Sequence, residues 1–313
     1  MTTDQPPRVV FFGTPAAAVE VLAAVLAARY PVAAVVTQPD RPSGRGGVPT
    51  PPPVKVFARQ RGIPVLQPAR SADIAPSLQK LSAVVGILFS YGKLLPPAVL
   101  QVLPFGILNV HPSLLPRYRG PTPVAQAIID GSERTGATVI KLDEQLDHGP
   151  IVAQVSTRVA DDERAPELLQ RLVAIGTGTL LAALPAYLNG TFSPLPQDHA
   201  HATYTKIISR DDGRIRWSFP AASLHRRWRA YQPWPGIFTS WTNRRLRVVD
   251  CYPHGGNVPM LLRGQVARFN GVVLVGCGEG RLQLRAIQLE GGKILAVEEF
   301  LRGHPTFVGA QLD

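Results

Sequence analysis

The stretch RVVFFGTPAAAVEVLAAVLA, residues 8–27, reads as a strand, a tight turn and a helix. Arg8–Gly13 is a mostly apolar run of strand length, and Ala16–Ala28 carries its apolar positions at helical spacing. Pro15 suits the first turn of that helix, where no backbone donor is lost. The same alternation continues outward. Val32–Thr37, Ile63–Leu66, Ala83–Ser90 and Ile107–His111 read as further strands, with helical segments at Val54–Arg61 and Asp73–Leu81. Near-continuous apolar strands alternating with helices predict an α/β, doubly wound and mostly parallel sheet covered on both faces. The first turn also narrows the function. A dinucleotide-binding turn carries G-x-G-x-x-G, whereas here Gly13 stands alone and Pro15 fills the second glycine's place. No P-loop pattern occurs, so the pattern argues against NAD and ATP as cofactors.

Farther along, Thr122–Asp130 reads as a helix, Ala137–Leu142 and Ile151–Arg158 as strands, and Pro166–Tyr187 as a long helix. The segment from Asn189 turns polar and proline-rich, which is linker chemistry. Beyond Ile208 the runs shorten. Arg214–Trp217, Thr239–Trp241, Leu246–Cys251, Gly264–Phe269, Val272–Val275 and Leu282–Leu289 alternate with turn residues after one helix, Ala221–Ala230. That pattern predicts a small β-barrel, partly open. The expected organisation is an α/β domain over 1–188, a linker over 189–207 and a β-rich domain over 208–313.

The chain has 313 residues and is 45% hydrophobic, enough for two cores. It contains no unbroken run of apolar residues long enough to span a bilayer, and its N-terminus lacks the features of a signal peptide. The expectation is a cytoplasmic monomer with no membrane association. Two cysteines, Cys251 and Cys277, make neither a disulfide framework nor a zinc site. The formal net charge is +11, and residues 209–313 hold 15 Lys and Arg against 8 Asp and Glu. A basic C-terminal third points to a polyanionic partner, most simply nucleic acid.

The polar residues of interest lie in GILNVHPSLLPRYRG, 106–120, and DEQLDHGPI, 143–151. Asn109 and His111 stand two apart on a strand and so share a face, at the carboxyl end where open α/β sheets bind ligands. Asp147 sits in a turn between two strands that can fold back toward them. Together an amide donates to a developing oxyanion, an imidazole moves a proton near neutrality, and a carboxylate stabilises the imidazolium. No Ser or Cys nucleophile accompanies them, which suits acyl transfer to an amine that is its own nucleophile. Each residue also has a plain structural use: His111 as a hydrogen-bonder at a strand end, Asn109 at an edge, Asp147 as a turn former.

These residues carry a resemblance. NVHPSLLPRYRGPTPVAQAI followed by TGATVIKLDEQLD resembles the signature of the 10-formyltetrahydrofolate-dependent formyltransferases. The likeness runs from VVFFGTP to FLRGHP and includes TQPDRPSGRG, PVKVFA, SYGKLLP, GRIRWS and RAYQPWPG. It implies a Rossmann-like N-terminal domain, an OB-like C-terminal barrel, and catalysis by Asn109, His111 and Asp147. It also implies a folate-binding wall of Ser113, Leu114, Leu115, Pro116, Tyr91 and Gly92, with 10-formyltetrahydrofolate as co-substrate and no metal. The members it most resembles formylate methionyl-initiator tRNA, which implies tRNA contacts from Arg41, Arg45, Arg244, Arg245, Arg247 and Lys293. Arg226, Arg227 and Arg229 are further basic candidates, and the roles of Arg117 and Arg119 stay open. The chain departs from the usual tRNA-formylating pattern at His148-Gly149-Pro150, where Thr-Gly-Asp is common. It lacks lysines in the GGVPTPPP segment after Arg45, and has Ile294 where Met is common. The rival readings are a formyltransferase for a small amine, such as glycinamide ribonucleotide or an amino-sugar nucleotide, and an RNA-binding module with an inactive enzyme domain.

Overall fold

The computed structural model describes residues 6–43, 47–256 and 260–313. The chain forms two compact units. One comprises residues up to Pro123 with Arg134–Arg158 and Leu169–Thr205; the other comprises Val124–Glu133, Val159–Leu168 and Lys206–Asp313.

The strands of the first unit are β1 (Val9–Gly13), β2 (Val32–Val36), β3 (Arg41–Ser43), β4 (Val48–Thr50), β5 (Val65–Leu66), β6 (Val85–Phe89), β7 (Ile107–His111), β8 (Arg134–Lys141) and β9 (Ile151–Arg158). The helices up to this point are α1 (Ala16–Ala27), α2 (Pro53–Arg59), α3 (Ala75–Gln79), α4 (Pro97–Leu100), α5 (Pro123–Ile129) and α6 (Ala165–Leu188). A seven-stranded sheet runs β5-β2-β1-β6-β7-β8-β9. The first five in that order are parallel, and β8 and β9 extend the sheet antiparallel. The strand order reverses between β1 and β6, the place beside which such sheets bind ligands. This is the Rossmann-like α/β architecture expected.

Period-two alternation builds two cores from the same strands. Val9, Phe11, Val35, Ile87, Leu108 and Val110 face one side, where Val173, Leu180 and Leu184 of α6 cover them. Val10, Phe12, Val36, Leu88 and Ile107 face the other, against Ile74, Leu78 and Val99. Each fully buried phenylalanine contributes roughly 2 kcal/mol. The helix α6 is long and apolar enough to cross a bilayer, but its buried stripe is spent on the sheet. The parity has a consequence for β7. Asn109 and His111 continue the face that Ile107 begins, so that face changes from core to polar at the strand's carboxyl end.

Local departures have local causes. The expected helix at Asp73–Leu81 is a 3₁₀ turn at Ser71–Ile74 followed by α3. Pro76 lacks an N–H and is tolerated only in a first helical turn, so the α-helix begins beside it. The short strands β3 and β4, which the sequence pattern did not announce, pair antiparallel, with Arg41 at the start of β3. Within the stretch read as a linker, Leu195 pairs with Ile151 and Tyr204 with Arg119.

The second unit holds α7 (Ala221–Ala230), β10 (Ile237–Trp241), β11 (Arg244–His254), β12 (Val266–Phe269), β13 (Val272–Gly276), β14 (Arg281–Leu289), β15 (Ile294–Ala296) and α8 (Val297–Gly303). Its sheet is antiparallel, ordered β10-β11-β14-β13-β12 with β15 on β14. The expected strand at Arg214–Trp217 is only a single bridge, Arg214 to Phe238. Trp241, Phe300 and Phe307 meet edge-to-face and fill one end. The segments 124–133 and 159–168 belong to this unit. Arg226 Nε donates to the Ile129 carbonyl, and the buried Arg229 donates to the carbonyls of Ala160 and Glu163.

Candidate active site

The loop after β7 is pinned before it can carry chemistry. Thr138 on β8 donates its hydroxyl to the Ser113 carbonyl at 2.6 Å and accepts from the Leu115 amide at 3.2 Å. Gln154 on β9 donates to both Thr138 Oγ1 and the Leu115 carbonyl. Ser113 donates its own hydroxyl to the Arg117 carbonyl. With these groups satisfied inside the loop, Ser113 and Leu115 are buried, while Leu114 and Pro116 remain partly accessible. Tyr91 is likewise a core residue, edge-on to Phe12. Its carbonyl accepts from Thr14 Oγ1 and Gln38 Nε2, which ties the turn after β6 to the segments after β1 and β2. Gly92 beside it is exposed.

Asn109, His111 and Asp147 converge. Asn109 Nδ2 lies 3.5 Å from Asp147 Oδ1, and His111 Nδ1 lies 3.6 Å from Asp147 Oδ2. The Gly120 amide donates to Asp147 Oδ2 at 2.8 Å. His111 Nε2 is 2.9 Å from the Tyr118 carbonyl. A carbonyl can only accept, so Nε2 carries a proton and Nδ1 is the atom turned to the carboxylate. All three side chains are buried, which strengthens each polar contact relative to water.

Two glycines allow this approach. A Cβ on Gly149 would stand 1.8 Å from the Lys141 carbonyl, so the turn lies flush on β8 only without one. Gly120 has φ +105°, and a Cβ there would meet Thr205 at 2.9 Å. Only glycine adopts that backbone without strain.

Arg119 is almost wholly enclosed, at 1% exposure. Its guanidinium donates to Gln197 Oε1, Tyr204 Oη and His199 Nδ1. His199 stacks on His148 at 3.9 Å, and His148 Nδ1 lies 2.6 Å from Asp143 Oδ2. Gln197, Thr138 and Gln154 did not stand out in the sequence, because amides and hydroxyls carry no spacing signal of their own. Arg117 is exposed and donates to Tyr118 Oη.

The basic candidates fall into distinct settings. Arg41 is exposed and reaches Gln38 Oε1 at 3.3 Å; Arg45 lies outside the described residues. Arg245 and Arg247 share one face of β11, opposite Ser240 and Phe238 on β10. The Arg245 guanidinium lies 3.7 Å over the Phe238 ring, and Arg214 approaches the same ring. Burial, then the charges of Arg210, Arg247 and Arg214, pull the Arg245 pKa below its ordinary value despite nearby Glu290. Arg244 donates to the Glu290 carbonyl, and Lys293 is exposed. No group of three or more metal-ligating side chains occurs among the described residues.

Comparison with known proteins gives the family. Residues 7–184 match the formyl transferase family, and residues 207–305 match the formyl transferase C-terminal domain. A methionyl-tRNA formyltransferase of Chloroflexus aurantiacus is 43% identical over 301 residues, 95% of this chain and 96% of that protein. One of Myxococcus xanthus is 41% identical over 308 residues, 97% of each. An N-formyltransferase of Helicobacter canadensis, solved with folinic acid and dTDP-3-aminofucose, superposes with a TM-score of 0.67 at 14% identity. It covers 90% of this chain and 99% of that one, a likeness of fold. Matched in both segments and along nearly its whole length, the chain belongs to the methionyl-tRNA formyltransferase family.

Proposed function

We propose that the protein transfers the formyl group of 10-formyltetrahydrofolate to the amino group of methionyl-initiator tRNA, for translation initiation. The observation that carries this is the convergence of Asn109, His111 and Asp147 at the sheet's carboxyl edge in a chain of this family. The amine nitrogen bonds to the formyl carbon, and the bond from that carbon to the folate's N10 breaks. The amine gives up a proton and N10 takes one, leaving formylmethionyl-tRNA and tetrahydrofolate. The Asn109 amide carries two N–H groups, of which one faces Asp147; the other serves the tetrahedral oxyanion. A protonated His111 adds positive charge beside that oxyanion. Asp147 pairs with the ring and takes up the amine's proton directly or through one water.

The folate wall is assigned to Ser113, Leu114, Leu115, Pro116, Tyr91 and Gly92. Leu114, Pro116 and Gly92 offer accessible surface, and the buried three shape it from beneath. No metal enters this reading. The OB-like role of the β-rich unit, 208–313, is to hold tRNA through Arg244, Arg245, Arg247 and Lys293, with Arg41 and Arg45 serving the acceptor end. Crowded guanidiniums that repel one another gain most from phosphate between them. The same reading makes the protein a cytoplasmic monomer; size-exclusion chromatography coupled to light scattering checks the monomer, and cell fractionation the location.

The decisive experiment compares formyl transfer to charged initiator tRNA, charged elongator methionine tRNA, glycinamide ribonucleotide and an amino-sugar nucleotide. Initiator tRNA is expected to win; preference for a small amine overturns the acceptor. In the same assay Asn109→Ala is expected to lower kcat roughly 10²–10³-fold. Near-full turnover with normal substrate binding overturns the catalytic assignment.

A further inference from the structure

We propose that Gln197, locked in place by Arg119, is a positioning residue for the reaction: it holds the Asp147 turn so that the carboxylate faces Asn109 and His111. The proposal rests on the reading of Asp147 as the catalytic carboxylate.

Gln197 Nε2 donates to the Asp147 carbonyl at 2.9 Å and to the Gly149 carbonyl at 2.8 Å. Its Oε1 accepts from Arg119 Nη2 at 2.8 Å and Nε at 3.3 Å. The amide can face only one way. Guanidinium groups donate and never accept, and the two carbonyls accept and never donate. A flipped amide would set oxygen against two carbonyls and nitrogen against a cation. Arg119 is fixed in turn by Tyr204 Oη and by His199 Nδ1, whose ring stacks on His148, the residue after Asp147.

The turn needs such a hold. Asp147 has φ +48°, in the left-handed region, which aspartate adopts more readily than most residues in a turn, so contacts to the turn decide where its carboxylate points. Two grips on Asp147 come from one short segment. The Gly120 amide holds the carboxylate at one end. Arg119, working through Gln197, holds the carbonyl at the other. Loss of the second grip frees the turn to rotate while leaving Asn109 and His111 on their strand. A misplacement of about 1 Å in a reacting group costs up to about 10²-fold in rate.

The test is a double-mutant cycle on the full-length protein, with kcat, the KM of each substrate and thermal melting as readouts. Gln197→Glu keeps the two acceptor contacts to Arg119 and removes both donors to the turn. The expected result is a kcat lower by about 10- to 100-fold with both KM values within about 3-fold, together with a lower melting temperature, because the Asp147 and Gly149 carbonyls lose their donor. In an Asp147→Asn background, Gln197→Glu is expected to cost nothing further, because its effect passes through Asp147. Should Gln197→Glu fail to fold, Gln197→Met runs the same cycle. Wild-type kcat in the single variant, or an undiminished multiplicative loss in the Asp147→Asn background, overturns the clamp alone. Full activity of Asp147→Asn overturns the catalytic reading of that carboxylate, and the clamp with it.

Discussion

Arg119 and Arg245 are both guanidiniums drawn out of water, and their surroundings could hardly differ more. Arg119 donates to neutral acceptors that meet it in fixed directions. Arg245 lies across a phenyl ring with Arg210, Arg214 and Arg247 as neighbours. The first arrangement is complete in the folded chain and needs no partner. The second carries like-charge repulsion that Glu290 relieves only in part, and an anion would relieve further. The chain's net charge of +11 therefore overstates its spare positive charge, since Arg119, Arg226 and Arg229 are already committed to acceptors in the fold.

Experiment can probe each side of this contrast. Arg119→Leu is expected to cost about 3–4 kcal/mol, because it strands the buried Gln197 carbonyl and loosens the segment at 203–205. Chemical denaturation measures it, and a loss under 1 kcal/mol makes Arg119 dispensable. His225 tests whether proximity to arginine matters when a ring is buried. Burial, followed by the charges of Arg229, Arg285 and Arg226, lowers its pKa to about 4. The folded state holds the neutral ring and the unfolded state takes the proton. Its contribution is thus complete above pH about 6.5 and lost as pH falls through about 4, roughly 3 kcal/mol in all. His225→Phe should flatten that acid limb in a denaturation series; an unchanged slope rejects the assignment. Arg245→Ala with Arg247→Ala is expected to weaken tRNA binding about tenfold or more and reduce the salt slope by about 2, without loss of melting temperature. Binding titrations at two salt concentrations decide it, and destabilisation without weaker binding would make these arginines structural. Arg41→Ala, at an exposed site, is expected to change stability by less than about 0.5 kcal/mol, leaving any effect in the KM for tRNA.

How much of this was legible in the sequence depends on the kind of signal. Alternation placed Asn109 and His111 on one face of a strand, because side-chain direction follows from backbone period alone. The strands of the first sheet announced themselves as apolar runs for the same reason. Asp73–Leu81 misled, since its helical spacing outweighed Pro76. The stretch after Asn189 read as linker because its composition is polar. Yet Leu195, Gln197 and Tyr204 are engaged there in pairing and hydrogen bonds that exist only once distant segments meet. The C-terminal third showed its charge but not the distribution of it. Arg229 and Arg245 look alike as letters, and only the fold gives one carbonyl acceptors with carboxylates nearby and the other a phenyl ring with several arginines.

The pairing of Arg119 with Tyr204 also bears on the order in which the protein is made. The contact joins residues 85 positions apart, so it cannot form until the chain has been made as far as Tyr204. A nascent chain that has emerged as far as α6 holds every strand of the first sheet, together with Asn109, His111 and Asp147. It still lacks Gln197. During synthesis the sheet therefore precedes its working geometry, and the turn bearing Asp147 acquires its second grip when a segment about ten residues beyond the last helix of that unit docks behind it.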